Sequence, residues 1–210
     1  IYPQTRVILP TTEKWRDQIL IAALRALFLL SFFPLIGGLI NVVETYNRVN
    51  LPLLRVVLIS GIYLMATTAI GLMSFKSNWP YRLRSLTLLS VLYLVGTVGL
   101  FLTGLSGDGR VFLFAFTVLT TVLFSRRGAM FAVVLAIMTL IVMAVLFVQG
   151  VVALPAPFQA NSTDLTAWLS GILVFALLNT TAVVSISYLV RSLEASLQVV
   201  EQDRAILQRS

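Results

Sequence analysis

The chain of 210 residues has no cysteine and no histidine, and only 11% of its residues are charged. Without Cys there is no disulfide framework. Without Cys and His the usual ligands of zinc, haem and iron–sulfur clusters are missing, and so are the common nucleophile–base pairs. The eight acidic residues all lie at or beyond the ends of apolar stretches, so no carboxylate pair sits where a proton relay would need one. No G-x-S-x-G elbow and no phosphate-binding glycine loop occurs. No catalytic residue and no metal site is therefore expected here.

What fills the chain is apolar. Hydrophobic residues make up 59%, and the mean hydropathy is +0.97, whereas soluble domains run at about 45–50% apolar and about 25% charged. Six apolar stretches stand out, at 19–43, 51–73, 83–104, 111–125, 128–149 and 167–190. A helix needs about 20 such residues to cross about 30 Å of hydrocarbon. The fourth stretch is short, making about 22 Å of helix, and the turn Gly107-Asp108-Gly109-Arg110 discourages extending it upstream.

Charge placement favours a crossing all the same. With both ends in the cytoplasm, eleven of the fifteen Lys and Arg fall on the inner side, two outside (Arg48 and Arg110) and two within spans (Arg25 and Arg55). Removing the fourth crossing would strand Arg126 and Arg127 outside, against the positive-inside rule. The formal charge of +7 thus records topology rather than nucleic-acid binding. Trp15, Trp79, Tyr81 and Tyr188 fall at inner boundaries and Tyr46 and Trp168 at outer ones, as an aromatic belt requires. The expected fold is all-α: a polytopic bundle of six transmembrane helices over 19–190, preceded by a cytoplasmic or interfacial lead-in over 1–18, in the inner (plasma) membrane.

Beyond the sixth span Ile186, Val190, Leu193, Leu197, Val200 and Leu207 recur at alternating steps of four and three, with Arg204 at the one polar position of the series. This is the spacing of a coiled-coil seam. Residues 191–210 are read as a cytoplasmic coiled-coil signalling helix, cut short, which pairs two copies in parallel and uses Arg204 to tune register. An amphipathic helix lying on lipid would want a more basic polar face than Glu194, Glu201 and Asp203 provide.

Polar side chains inside the spans are candidates for function, because hydrocarbon offers them no partner. Ser60, Tyr63 and Thr67 on the second span and Ser90, Tyr93 and Thr97 on the third share one spacing. They serve either helix packing or a pocket for a small apolar or amphiphilic ligand. Asn179, midway along the sixth span, is a candidate for the same pocket or, with Arg204, for signal relay. Glu44 and Arg55 are placed to form an ion pair across the first hairpin, and Asp108 and Arg110 to form a polar turn or an external cue. Gly96 and Gly99 read as close helix packing.

Taken together, the six-span layout, the turn GDGR before a short apolar span and SRRG, and the juxtamembrane run RSLEASLQVVEQDRAILQ resemble the N-terminal membrane sensor region of bacterial sensor histidine kinases. The resemblance implies a two-component input domain whose last helix drives a cytoplasmic kinase lying outside this sequence. ATP and Mg²⁺ would belong to that kinase, as would the contact with a response regulator, and no cofactor is expected in this portion. The competing class is a small transporter or channel subunit.

Overall fold

A computed structural model describes residues 12–49, 53–75, 79–124, 126–152, 154 and 163–207. Among them are six α-helices: α1 (Thr12–Val49), α2 (Leu53–Phe75), α3 (Tyr81–Thr103), α4 (Gly109–Leu123), α5 (Arg126–Val148) and α6 (Leu165–Leu207). A single 3₁₀ turn, Gly104–Ser106, joins α3 to α4, and no strand occurs among the described residues. Each helix covers one of the six apolar stretches. The sixth stretch and most of the proposed signalling helix form a single element of 43 residues.

Among the described residues, three helical stretches are long and apolar enough to cross a membrane on length and composition: Tyr81–Ser106, Arg127–Val148 and Leu165–Leu193. Their outer surfaces carry large apolar side chains such as Phe131, Val134, Leu173 and Leu177, all more than half exposed. Apolar all round and buried on one side only, they suit lipid rather than water. The protein is an all-helical membrane protein.

Neighbouring helices pair, α1 with α2 and α3 with α4, and α4 also packs against both α5 and α6. The short α4 is thus the hub. Its buried face comprises Gly109, Leu113, Phe116, Thr117, Thr120, Thr121 and Leu123. A 15-residue helix spans only about 22 Å, and its neighbours shield this face along its whole length.

Two apolar cores lie one above the other. At the end where α1 begins and α4 stops, Leu20, Leu24, Leu88, Leu92 and Leu123 cluster. At the GDGR end, Leu100, Leu113, Leu140, Phe147 and Trp168 form the second cluster. Glycine lets the helices approach. A Cβ on Gly109 would meet Leu100 N at 2.5 Å and Gly96 O at 2.6 Å, so the α3–α4 crossing is closed backbone to backbone. A Cβ on Gly71 would meet the Phe28 ring at 2.6 Å, where that ring also packs edge-on to Phe75.

Trp168, expected at an outer boundary, faces the helices of the bundle rather than their surroundings. It is fully buried and stacks on Phe147 of α5, with ring centroids 5.7 Å apart and an interplanar angle of 13°. Leu165 and Thr166 of the same turn are exposed, so the indole carries the packing of this end of α6 against α5.

Candidate functional site

Asn179, about four turns into α6, is fully buried against α4. Thr117 of α4, also fully buried, directs its hydroxyl at Asn179 Oδ1 and at the Phe114 carbonyl, the latter at 2.8 Å. One hydroxyl hydrogen cannot serve both acceptors at once. Asn179 Nδ2 has no partner. Turning the amide over would let Nδ2 donate to Thr117 Oγ1 while Thr117 donates to Phe114, and would leave Oδ1 unpaired instead. In either orientation α6 carries one unpaired amide atom in the interior, a cost of about 1–3 kcal/mol.

The α4 surface beneath this contact carries two further threonines. Thr120 and Thr121 are buried and give their hydrogens to the carbonyls of Phe116 at 2.6 Å and Thr117 at 2.8 Å. Having donated within their own helix, both retain acceptor capacity. Beside Asn179, α4 therefore presents a line of acceptors one turn long.

A second polar contact joins α3 to α5. Thr139 Oγ1 donates to the Leu135 carbonyl at 2.9 Å, so the 2.9 Å contact between Tyr93 Oη and Thr139 Oγ1 has tyrosine as donor. The Tyr93 ring lies 5.4 Å from that of Phe116 on α4. At the end where α1 begins, Arg84 of α3 is only 3% exposed and pairs with Asp17 of α1, whose side chain is 36% exposed. Close by in sequence, Tyr81 Oη donates to the Leu123 carbonyl at the end of α4, at 2.8 Å.

Residues 14–193 match the MASE11 family, a family of membrane-associated sensory domains. The chain belongs to this family. No curated protein and no solved structure matches the chain.

Within this MASE11 domain the residues singled out from sequence fall in separate places. Tyr63 lines a crevice of ≈ 20 Å³ between α2 and α3, together with Ile62, Val95, Val98, Gly99 and Leu102. That is room for about one water molecule, against about 300–1,000 Å³ for a small-molecule pocket. Ser60 is half-buried, Thr67 is buried and Ser90 is exposed. Thr97 is half-buried, and its hydroxyl is enclosed without a partner. Of the seven ligand candidates only Tyr63 touches the crevice; Tyr93 is committed to Thr139 and Asn179 to Thr117.

At the GDGR turn, Arg110 donates to the Leu105 carbonyl at 2.9 Å and passes beside Gly171 of α6, while Asp108 is exposed. Arg110 thus ties the turn to the first part of α6. The side chains of Glu44, Arg55 and Arg204 lie outside the described residues. Gly96 and Gly99 do pack closely, against Gly109.

Sequence reading gives no individual role to four members of these contacts: Asp17, Arg84, Thr117 and Thr139. A signal for Thr117 exists: apart from Arg110 in the first turn, Thr117, Thr120 and Thr121 are the only polar side chains of this 15-residue helix.

Proposed function

We propose that this MASE11 domain is the transmembrane input domain of a two-component receptor. In this reading all six helices cross the inner membrane with both termini in the cytoplasm. A small apolar or amphiphilic ligand, or a change in the bilayer, favours one of two packings of the bundle. The last helix carries the change to a cytoplasmic histidine kinase, which answers to a response regulator. Two copies pair through that helix.

The observation that carries the reading is α6. It begins at Leu165, just after Asp164, whose carboxylate accepts from Thr166 N at 2.9 Å, and runs without interruption to Leu207. Its 43 residues make about 64 Å of helix, about twice the thickness of the hydrocarbon core. About a third of the way along it, Asn179 has one contact and one unpaired atom. A small shift of α6 changes that pairing at modest cost, and coupling free energies of about 1–3 kcal/mol suffice for signalling. Because the helix is continuous, the shift reaches its far end.

The test uses the full receptor, with its native C-terminal continuation, in lipid nanodiscs supplied with labelled ATP. An acid-labile, base-stable phosphate on histidine, altered in level by Asn179→Leu, is the expected result. A folded receptor that incorporates no phosphate would overturn the kinase assignment. Solute flux through liposomes containing the protein would favour the transporter or channel reading instead.

A further inference from the structure

We infer that α6 docks on a second copy of this chain with the same face that it uses to pack inside its own bundle, the changeover falling between Ile186 and Leu193. The inference rests on the pairing of two copies through this helix, and not on what output domain follows.

The face can be followed residue by residue. Trp168, Phe175, Asn179 and Val183 are the buried residues of α6, and half-buried Ile172 belongs to the same set. Their steps of four, three, four and four place them on one stripe of the helix. Stepping on by three and four reaches Ile186 and Val190, both half-buried, and then Leu193, which is 50% exposed. The next members by spacing are Leu197, Val200, Arg204 and Leu207. The intramembrane packing stripe and the heptad seam are therefore one continuous line. No proline or glycine interrupts α6 after Gly171, so no kink is available to turn the seam away from the bundle.

The second copy is the occupant that this continuity favours. Above Ile186 the stripe rests on α4 and α5 of the same chain. Below Val190 the sequence still has the apolar residues and 3.5-residue spacing that a partner helix needs, and Leu193, the one described side chain of the stripe there, is left half exposed by its own bundle. The opposite side of α6, with Val184, Tyr188 and Val199 all exposed, lacks a heptad beyond the span and faces lipid along the bundle.

A geometric consequence follows. Paired helices in the coil lie about 8–10 Å apart. At the level of Asn179 the same face is filled by α4, itself about 10–12 Å across with its side chains. The two α6 helices therefore diverge on entering the bundle, and the coil cannot extend upward past Ile186. Any rotation of α6 that frees Asn179 from Thr117 turns the seam by the same angle.

The absence of native cysteine makes this directly testable by single cysteine substitutions in the full-length protein, oxidised in its native membrane. Leu193→Cys, Leu197→Cys and Val200→Cys are expected to give several-fold more disulfide-linked dimer than Val184→Cys, Tyr188→Cys and Val199→Cys. Ile172→Cys and Val183→Cys, on the same stripe inside the bundle, are expected to give none above background. Crosslinking that favours Val184 and Val199, crosslinking at Val183, or no position above background would each overturn the inference. Since the readout needs neither ATP nor an output assay, it stands or falls separately from the kinase reading.

Discussion

Thr117 on α4 and Asn179 on α6, distant in sequence and both fully buried, meet through their side-chain oxygens while Asn179 Nδ2 is left without a partner. Neither residue depends equally on the other. Thr117 can fall back on the Phe114 carbonyl, but Asn179 has no alternative. Asn179→Leu should therefore be neutral or raise stability by on the order of 1 kcal/mol, because it removes an unpaired amide from the interior. Thr117→Val should cost about 1–2 kcal/mol, because it strands the whole amide. Unfolding in mild detergent, with the double variant closing the cycle, measures both. Clear destabilisation by Asn179→Leu, or no cost for Thr117→Val, would show that the amide is paired in some other way.

Removing Asp17 leaves Arg84 in place, 3% exposed and without its counter-ion. Breaking a fully buried pair costs about 3–5 kcal/mol. Asp17 is 36% exposed, so solvent screening reduces the expected loss for Asp17→Asn to on the order of 1–2 kcal/mol. Arg84→Met, which fills the same space without charge, should cost less than Asp17→Asn. Thermal unfolding of the two variants decides the order.

Two glycine replacements should behave oppositely. Gly109→Ala puts a methyl group within 2.6 Å of two backbone atoms of α3 and should disrupt the α3–α4 crossing, costing several kcal/mol or abolishing folding. Gly37→Ala in α1 meets nothing within 4 Å and should stabilise by roughly 0.5–1 kcal/mol through lower chain entropy. Expression level and thermal midpoint are sufficient readouts.

The first turn of α6 should respond to acid. Hydrogen bonds from the Thr166 hydroxyl, and then from its backbone N–H, hold the Asp164 carboxyl below its ordinary value. A depressed folded pKa means that the ionised carboxylate stabilises the helix end above the ordinary value, near pH 4. That contribution is lost as pH falls through the lower, folded value. Asp164→Ala should lack this acid-dependent step. Comparing thermal midpoints of the two proteins at pH 6 and pH 3 tests it, with the gap narrowing at the lower pH.

Much of the architecture was legible in the residues. Leu, Val, Ile and Phe in runs of about 20 residues leave the backbone no water to bond with, so each run must satisfy its own N–H and C=O groups as helix. The six runs and the six helices coincide for that reason, and the lack of any helix breaker after Gly171 already implied that the last helix runs on past its apolar stretch. The 3.5-residue spacing beyond Ile186 was equally visible, as was close packing at Gly96 and Gly99.

What sequence alone settled, then, was chemistry by omission and helix by hydropathy: a chain without Cys or His, whose apolar runs must be helical. Tertiary structure decided which faces meet. It made the shortest helix, α4, the hub, stacked Trp168 on Phe147, and joined Asp17 to Arg84 and Thr117 to Asn179. Periodicity could not foresee these pairings, because a helix that is apolar all round gives no preferred face. Only packing against particular neighbours assigns one.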